Sequence, residues 1–324
     1  MDSATLVQYM NQNTGAAFSP ASHLLHVYAS PDGHRAQLQN GRYTVDAPTT
    51  LPMMTVHVGK LHAAISACKG ADPGLSISEG GNLTVTAGRI RARIALSDPG
   101  AYTTTTPDPE TSHKAPGVAE LLARLQPFVA TDASRPWATS VCISGGHAYA
   151  TNNVILVREP FPATFDVPVN LPLNVFDAII TKGEPVGLGA SESSMTFYFE
   201  DGTWIRSQLV VGEWPTGVVD RLIEATPGDG WAEPHEELSE VLATATKISD
   251  DRLPVVEFVD GGVRLLDHTF EAIPLGPVPA DGKIATRMAS IVFNVATAVQ
   301  WHTPKRDVHA FRCGALQGVF GGQR

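Results

Sequence analysis

The stretch Val129–Val157, VATDASRPWATSVCISGGHAYATNNVILV, decides how the rest of the chain is read. It opens as the end of a helix, passes a loop holding Arg135-Pro136, and enters the apolar run Trp137–Ile143. Gly145-Gly146 supplies a turn, and a second strand-like segment runs through Ala150-Thr151-Asn152-Asn153 into Val154-Ile155-Leu156. Strand, glycine turn and returning strand make an antiparallel hairpin. Downstream lies Gly202–Pro215, GTWIRSQLVVGEWP, a second strand-like block closed by Gly, Glu and Pro.

Around these blocks stand 324 residues, enough for two or three domains. Hydrophobic residues make up 43% and charged ones 17%, a composition that supports sizeable cores. With 23 Lys and Arg against 33 Asp and Glu, the formal charge is −10. A protein that grips duplex DNA with one exposed basic face is basic overall. That mode is excluded here unless the basic residues gather on an inner surface. Cys68, Cys142 and Cys313 are odd in number and far apart, which argues against a disulfide framework and for a reducing, cytoplasmic setting. MDSATLVQYMNQ has no signal-peptide blocks, and no apolar run is long enough to span a bilayer.

Two stretches rich in Pro, Gly and Thr read as connectors: 98–116 and, less cleanly, 215–234. They cut the chain into the expected domains 1–110, 111–217 and 218–324, which invites a search for a repeat. In the first, a short helix over 4–11 precedes strands over 23–29, 35–39 and 42–47, with Asn40-Gly41 as a hairpin turn. A helix over 57–69 and strands over 75–78, 83–87 and 90–96 follow. In the second, Val118, Leu121, Leu122 and Leu125 mark a helix over 117–129. Strands over 137–143, 148–151, 154–158 and 164–169 come next, then a helix over 171–182 and strands over 186–190, 195–200 and 203–210. In the third, a helix over 235–248 leads to strands over 255–259 and 263–266 around Asp260-Gly261-Gly262. A long helix over 283–300 and strands over 308–313 and 315–320 close the chain. Each piece reads helix, strands, helix, strands, an α+β order with two helices on antiparallel strands.

No catalytic constellation stands out. Ser144-Gly145-Gly146 and Gly187-Leu188-Gly189 match neither a nucleophile elbow nor a phosphate loop. No CxxC or HExxH predicts a metal, and Asp250-Asp251 reads as loop. Cys68 and Cys142 fall on apolar faces as buried thiols. The expectation is a non-enzyme without cofactor or metal.

The two opening blocks carry a resemblance. Phe128-Val129-Ala130-Thr131-Asp132-Ala133-Ser134-Arg135-Pro136-Trp137 is similar to an Arg-containing loop in the middle domain of bacterial-type DNA polymerase sliding clamps. Ala150-Thr151-Asn152-Asn153-Val154-Ile155-Leu156 resembles that family's Ala-Thr-Asp-Gly-His-Arg-Leu motif. Ser207-Gln208-Leu209-Val210-Val211-Gly212-Glu213-Trp214-Pro215 stands where the family has Ser-Arg-Leu-Ile-Glu-Gly-Glu-Phe-Pro. The resemblance implies the DNA-clamp fold: three repeated domains, each with two helices packed on antiparallel sheets, closing a ring. It implies a divergent clamp, cellular or phage-encoded, a homodimer encircling double-stranded DNA, served by a clamp loader and tethering a replicative DNA polymerase. It places the partner-peptide pocket on Thr151, Asn153, Val154, Ile155, Leu156, Val319 and Phe320. Two departures stand out: Val154-Ile155 replaces His-Arg, and Gly318–Arg324 replaces a Met-rich tail.

A sliding ring wants a modest, sequence-independent positive lining. The expected helices hold Lys60, Lys69, Arg124, Lys182, Lys247, Lys283 and Arg287 against five acids, a margin of +2 while the rest of the chain carries −12. Arg135 and Arg252, in loops, complete the DNA-facing candidates. Each has a bland counterpart. Arg124 is placed to pair with Glu120, and Lys69, Lys182 and Lys247 complement helix C-termini. Arg89, Arg91 and Arg93 alternate on one strand as a solvated face. The alternative class is a β-rich structural or virion-assembly protein with no role around DNA; a hydrolase of unrecognised type is a third.

Overall fold

The structure, a computed structural model, describes residues 2–13, 23–69, 72–110, 116–132, 134–259, 261–273, 275, 282–303 and 307–321. The expectations at Asp260, at the end of the first connector (111–115) and at the C-terminal Gly322-Gln323-Arg324 lie outside the described residues.

The first helix, α1 (Ser3–Gln12), is started by Asp2, whose Oδ1 accepts from the Ala4 and Thr5 amides at 3.0 and 2.9 Å. These are donors a helix start leaves without partners. Strands β1 (Leu24–Ser30), β2 (Gly33–Gln39), β3 (Tyr43–Thr49) and β4 (Met54–His57) follow, and β4 runs directly into α2 (Val58–Ala67). Helix α2 buries Val58, Leu61, Ala64 and Ile65, one stripe at helical spacing. Then come β5 (Gly74–Ile77), β6 (Asn82–Ala87) and β7 (Ile90–Ala95). The order returns with α3 (Val118–Leu125), β8 (Ser140–Ser144), β9 (His147–Thr151), β10 (Ile155–Pro160), β11 (Val169–Pro172), α4 (Phe176–Lys182), β12 (Gly187–Ala190), β13 (Ser194–Tyr198) and β14 (Trp204–Gln208). After α5 (Thr216–Glu224) it returns again: α6 (Leu238–Ile248), β15 (Val255–Val259), β16 (Gly262–Leu265), β17 (Glu271–Ala272), β18 (Lys283–Ala285), α7 (Thr286–Phe293), β19 (Ala298–Gln300), β20 (Val308–Cys313) and β21 (Leu316–Gly321).

The chain divides into two compact units, 1–120 with 174–209, and 121–173 with 210–324. The first holds a seven-stranded sheet of order β12-β13-β14-β3-β2-β1-β4 and the small sheet β5-β6-β7. The second holds β11-β8-β9-β10-β21-β20-β19 and the four-stranded β17-β16-β15-β18. Each seven-stranded sheet thus joins a set of four strands to a set of three. The joints are antiparallel, β14 on β3 and β10 on β21.

Several expected elements are corrected. Pro136–Thr139 forms a 3-10 turn, so the strand expected from residue 137 begins at Ser140. Proline at the start fixes its own φ and removes a ladder donor. The strand expected over 164–169 lies at Val169–Pro172, and the helix expected over 171–182 is a 3-10 turn, Leu173–Val175, followed by α4. The connector over 215–234 contains α5, with Pro215 at its N-cap, where a missing N–H costs nothing. The long helix expected over 283–300 is β18, α7 and β19 in succession. The connector over 98–116 is partly a strap: the Gln39 amide donates to Thr103 O at 2.7 Å, and the Thr105 amide donates to the Gln37 side chain at 2.7 Å.

Candidate functional site

The Ala-Thr motif forms the β9–β10 turn, and local chemistry explains its shape. Thr151 Oγ1 donates to Ile155 O at 2.7 Å and accepts from the Asn153 amide at 3.0 Å. Asn152 Oδ1 accepts from the Val154 and Ile155 amides at 3.2 and 2.9 Å. Asn153 sits at φ 73°, a left-handed conformation that Asn tolerates better than most residues. The turn lifts Val154 to 41% exposure with Asn153 beside it, while Thr151 and Ile155 are fully buried. Across the sheet Ile155 faces Phe320 and Leu156 faces Val319, and both partners are buried. Of the seven residues expected to line a partner pocket, Asn153, Val154 and half-buried Leu156 reach the surface; Thr151, Ile155, Val319 and Phe320 lie in the core.

Leu156 packs against a cluster of Cys142, Tyr149, Trp214, Val219 and Ile223, with Trp137 at its edge. Helix α5, absent from the expected elements, supplies Val219 and Ile223. It is pinned by Asp220, which accepts from Arg158 Nη1 at 2.8 Å and from the Tyr149 hydroxyl at 3.1 Å. Burial, then the Asp220 charge, pushes the Tyr149 phenol up to about 12. Beside α5 a cavity of about 150 Å³ is lined by Ile223, Thr226, Trp231, Arg312 and Gln317 among others. The Arg312 guanidinium lies 4.6 Å from the centre of the Trp231 ring. This face pairs an apolar floor with a cation. The sequence signal that could have found it is Val219 and Ile223 at i, i+4 just after Trp214-Pro215.

The basic candidates divide by environment. Lys60 is exposed on α2, Lys69 is exposed past its end at φ 48°, and Lys247 and Arg287 are exposed on α6 and α7, which pack together. Arg252 is exposed in a loop, and Arg135 Nη1 donates to Asn153 Oδ1 at 3.4 Å. Arg124 on α3 binds Glu159 on β10 at 2.5 Å. Lys283 stands on strand β18, not on a helix, 3.7 Å from Glu257. Lys182 is the clear correction: its ammonium meets Asp201 at 2.5 Å, lies near the Tyr9 and Phe199 rings, and its side chain is only 8% exposed. Desolvating and pairing that charge commits it to the fold.

Among the described residues no group of three or more His, Cys, Asp or Glu is placed to hold a metal ion, and no helix is long and apolar enough to cross a membrane. Burial pushes the Cys142 thiol up to about 12, away from thiolate reactivity.

No protein-family model and no curated protein matches the sequence. Solved structures do match, over the whole chain. The beta sliding clamp of Caulobacter crescentus is similar at TM-score 0.78 and 16% identity, covering 99% of this chain and 96% of that one. The Helicobacter pylori beta clamp, bound to a DNA ligase peptide, is similar at TM-score 0.77 and 11% identity, covering 99% and 97%. The DNA polymerase III beta subunit of Pseudomonas aeruginosa, bound to griselimycin, is similar at TM-score 0.78 and 14% identity, covering 99% and 97%. From its first helix to its last strand, this chain has the fold of the bacterial beta sliding clamps.

Proposed function

We propose that this chain is a DNA sliding clamp: a cytoplasmic, non-enzymatic processivity factor that encircles double-stranded DNA and tethers a replicative polymerase. The observation that carries the reading is agreement with beta clamps over 99% of this chain and 96% of the Caulobacter clamp. The repeat divides the chain at 1–110, 111–217 and 218–324. Two copies close head to tail, the first repeat of one against the third of the other, because a heterologous contact that returns on itself makes a ring. A clamp loader opens it. Topological linkage removes the need for tight DNA contact, and this suits a chain of net charge −10. Lys60, Lys69, Arg135, Lys247, Arg252 and Arg287 form the core of the DNA-facing set, with Arg124 and Lys283 sharing their charge with Glu159 and Glu257. The partner face is Asn153, Val154 and Leu156 together with α5; the DNA ligase peptide held by the Helicobacter clamp makes a short peptide the occupant to try first.

The test is retention on DNA. Loaded protein should stay on a nicked circle and run off once the circle is linearised. Equal retention on both forms would sink the clamp reading, as would assemblies much larger than a dimer in sedimentation, which point to an assembly protein.

A further inference from the structure

The β9–β10 turn of the second unit has a counterpart in the first, between β2 and β3. The Asn152 amide donates to Ile155 O at 3.3 Å, and the Asn40 amide donates to Tyr43 O at 3.2 Å. As Asn152 Oδ1 accepts from the Val154 and Ile155 amides, Asn40 Oδ1 accepts from the Arg42 and Tyr43 amides, at 3.0 Å each. The left-handed position is Asn153 in one turn and Gly41, at φ 83°, in the other. The strand that joins each turn behaves alike: the Gly321 amide donates to Val154 O at 3.2 Å, and the Gln208 amide donates to Arg42 O at 3.0 Å. Arg42 thus takes the place of Val154, Thr44 that of Leu156, and Arg206 that of Val319. We propose that the first turn is a second binding site, and that it holds a phosphate group in a pocket built by Arg42, Thr44, Arg206 and Gln208.

A cavity of about 80 Å³ opens at this joint, lined by Gln39, Arg42, Thr44, Thr105, Arg206 and Gln208 among others. A single water needs about 10–15 Å³ of cavity, so the space admits several waters or one oxyanion. Arg206 spends its Nε on Ser194 Oγ at 3.1 Å and on Asp108 at 3.4 Å. Among the described residues its two terminal nitrogens donate to no group. Thr44 is 7% exposed, and among the described residues neither its hydroxyl nor the Gln208 side chain has a hydrogen-bond partner. Gln39 forms a wall: its amide is spent on Thr103 O and on Thr105 Oγ1, at 2.7 and 2.8 Å.

The donor set selects the ligand. Two guanidiniums, an amide and a hydroxyl reach the cavity from two strands and the turn between β2 and β3. A carboxylate offers two oxygens in one plane, whereas a phosphate offers three or four disposed tetrahedrally, and a guanidinium fork binds two of them at once. Buried polar groups without partners are costly, so a site with several of them around one space is completed by a polar guest. One backbone frame therefore serves two chemistries. Val154, Leu156 and Val319 line it for an apolar group in the second unit, and Arg42, Thr44 and Arg206 line it for an anion in the first. The pocket lies wholly within the first unit and needs no second copy of the chain.

Isothermal titration calorimetry of the whole chain with inorganic phosphate, at an ionic strength matched with chloride, tests this. Wild type should bind saturably. Arg42→Gln and Arg206→Gln should each weaken binding about tenfold, the loss of one charge-assisted pair. Gln208→Glu, which brings a carboxylate to the wall, should abolish it. Circular dichroism verifies folding, and because Arg42 and Gln208 are exposed, their variants leave the Asp108 bonds in place. Phosphoserine is the second probe. Binding as tight as that of inorganic phosphate assigns the site to a phosphorylated side chain, and binding of inorganic phosphate alone assigns it to the free ion; either supports the pocket. No saturable binding by wild type, unchanged affinity in both Arg42→Gln and Gln208→Glu, or displacement of phosphate by equimolar acetate would overturn it. Such a failure leaves the clamp reading standing, since retention on circular DNA is read separately.

Discussion

Phe320 and Val154 show how far burial separates residues expected to line one pocket. Phe320 is 1% exposed, and its ring meets those of Phe293, Phe311, Trp301 and His309 at centroid separations of 6.1, 5.9, 6.4 and 5.1 Å. Val154 stands out at 41% on a turn held by Asn152 and Thr151. Removing the Phe320 ring leaves a cavity, so Phe320→Ala should lower unfolding stability by about 3–5 kcal/mol. Val154→Asp should stay within about 0.5 kcal/mol of wild type, as surface changes do. Urea denaturation measures both. Val154→Asp should nonetheless weaken capture of a polymerase-derived peptide, read by fluorescence anisotropy; unchanged capture by a folded variant would move the partner face away from this turn. The apolar character of both residues was plain in the sequence. Which one faces water was not, because the register that turns Phe320 inward is set by pairing with Ile155, 165 positions earlier in the chain.

At the scale of elements, the strap over 103–110 ties a connector to the sheet. Asp108, 5% exposed, accepts from Ser194 Oγ at 2.7 Å and Thr196 Oγ1 at 2.8 Å and lies 3.4 Å from Arg206 Nε. The Tyr198 hydroxyl donates to its carbonyl. Gly189 on β12 has no side chain because a Cβ there would collide with the Pro109 and Asp108 carbonyls. Bonds to a charged group contribute more than neutral ones, so Asp108→Ala should lower stability by about 2–3 kcal/mol. Gly189→Ala should lower the melting temperature in the same direction by lifting the strap. Thermal melts of both variants check this, and a wild-type melt for either would mean the strap adds nothing to the sheet. Composition marks 98–116 as a connector, and that reading misses the strap because its bonds are all to residues distant in sequence. The same limit applies to β4, β11 and β18. Each is a short strand that passes straight into a helix with no turn residue to announce the change, so periodicity merges it with its neighbour or skips it.

At the scale of the whole molecule, pH reports on the first unit. His57 stacks on His23 at 5.4 Å, and burial, then His23 and Lys60, hold its proton affinity below the ordinary value. Burial does the same to His26, which stacks on Tyr28 and Tyr102. A histidine that binds protons less well when folded favours the unfolded state as pH falls through about 6.5. Melting temperature should therefore drop between pH 7.5 and 5.5, and His57→Gln should flatten the slope. A slope unchanged in that variant would assign the effect elsewhere.

The sequence by itself determined the α+β class, the repeated order of helices and strands, most hairpins and, through two short blocks, the clamp resemblance. Those properties are local: they follow from apolar spacing, glycine turns and caps within a few residues of one another. Only the tertiary structure decided that the strands gather into two sheets of seven with a four-stranded and a three-stranded sheet beside them, that Lys182 is spent on Asp201, that α5 packs Val219 and Ile223 into the cluster beside Leu156, and that Lys283, Glu257, Arg264 and Glu271 form a row of alternating charge. Each of these depends on which strand edges meet, and a side chain's burial or pairing across a sheet is set by that meeting rather than by its neighbours in the chain.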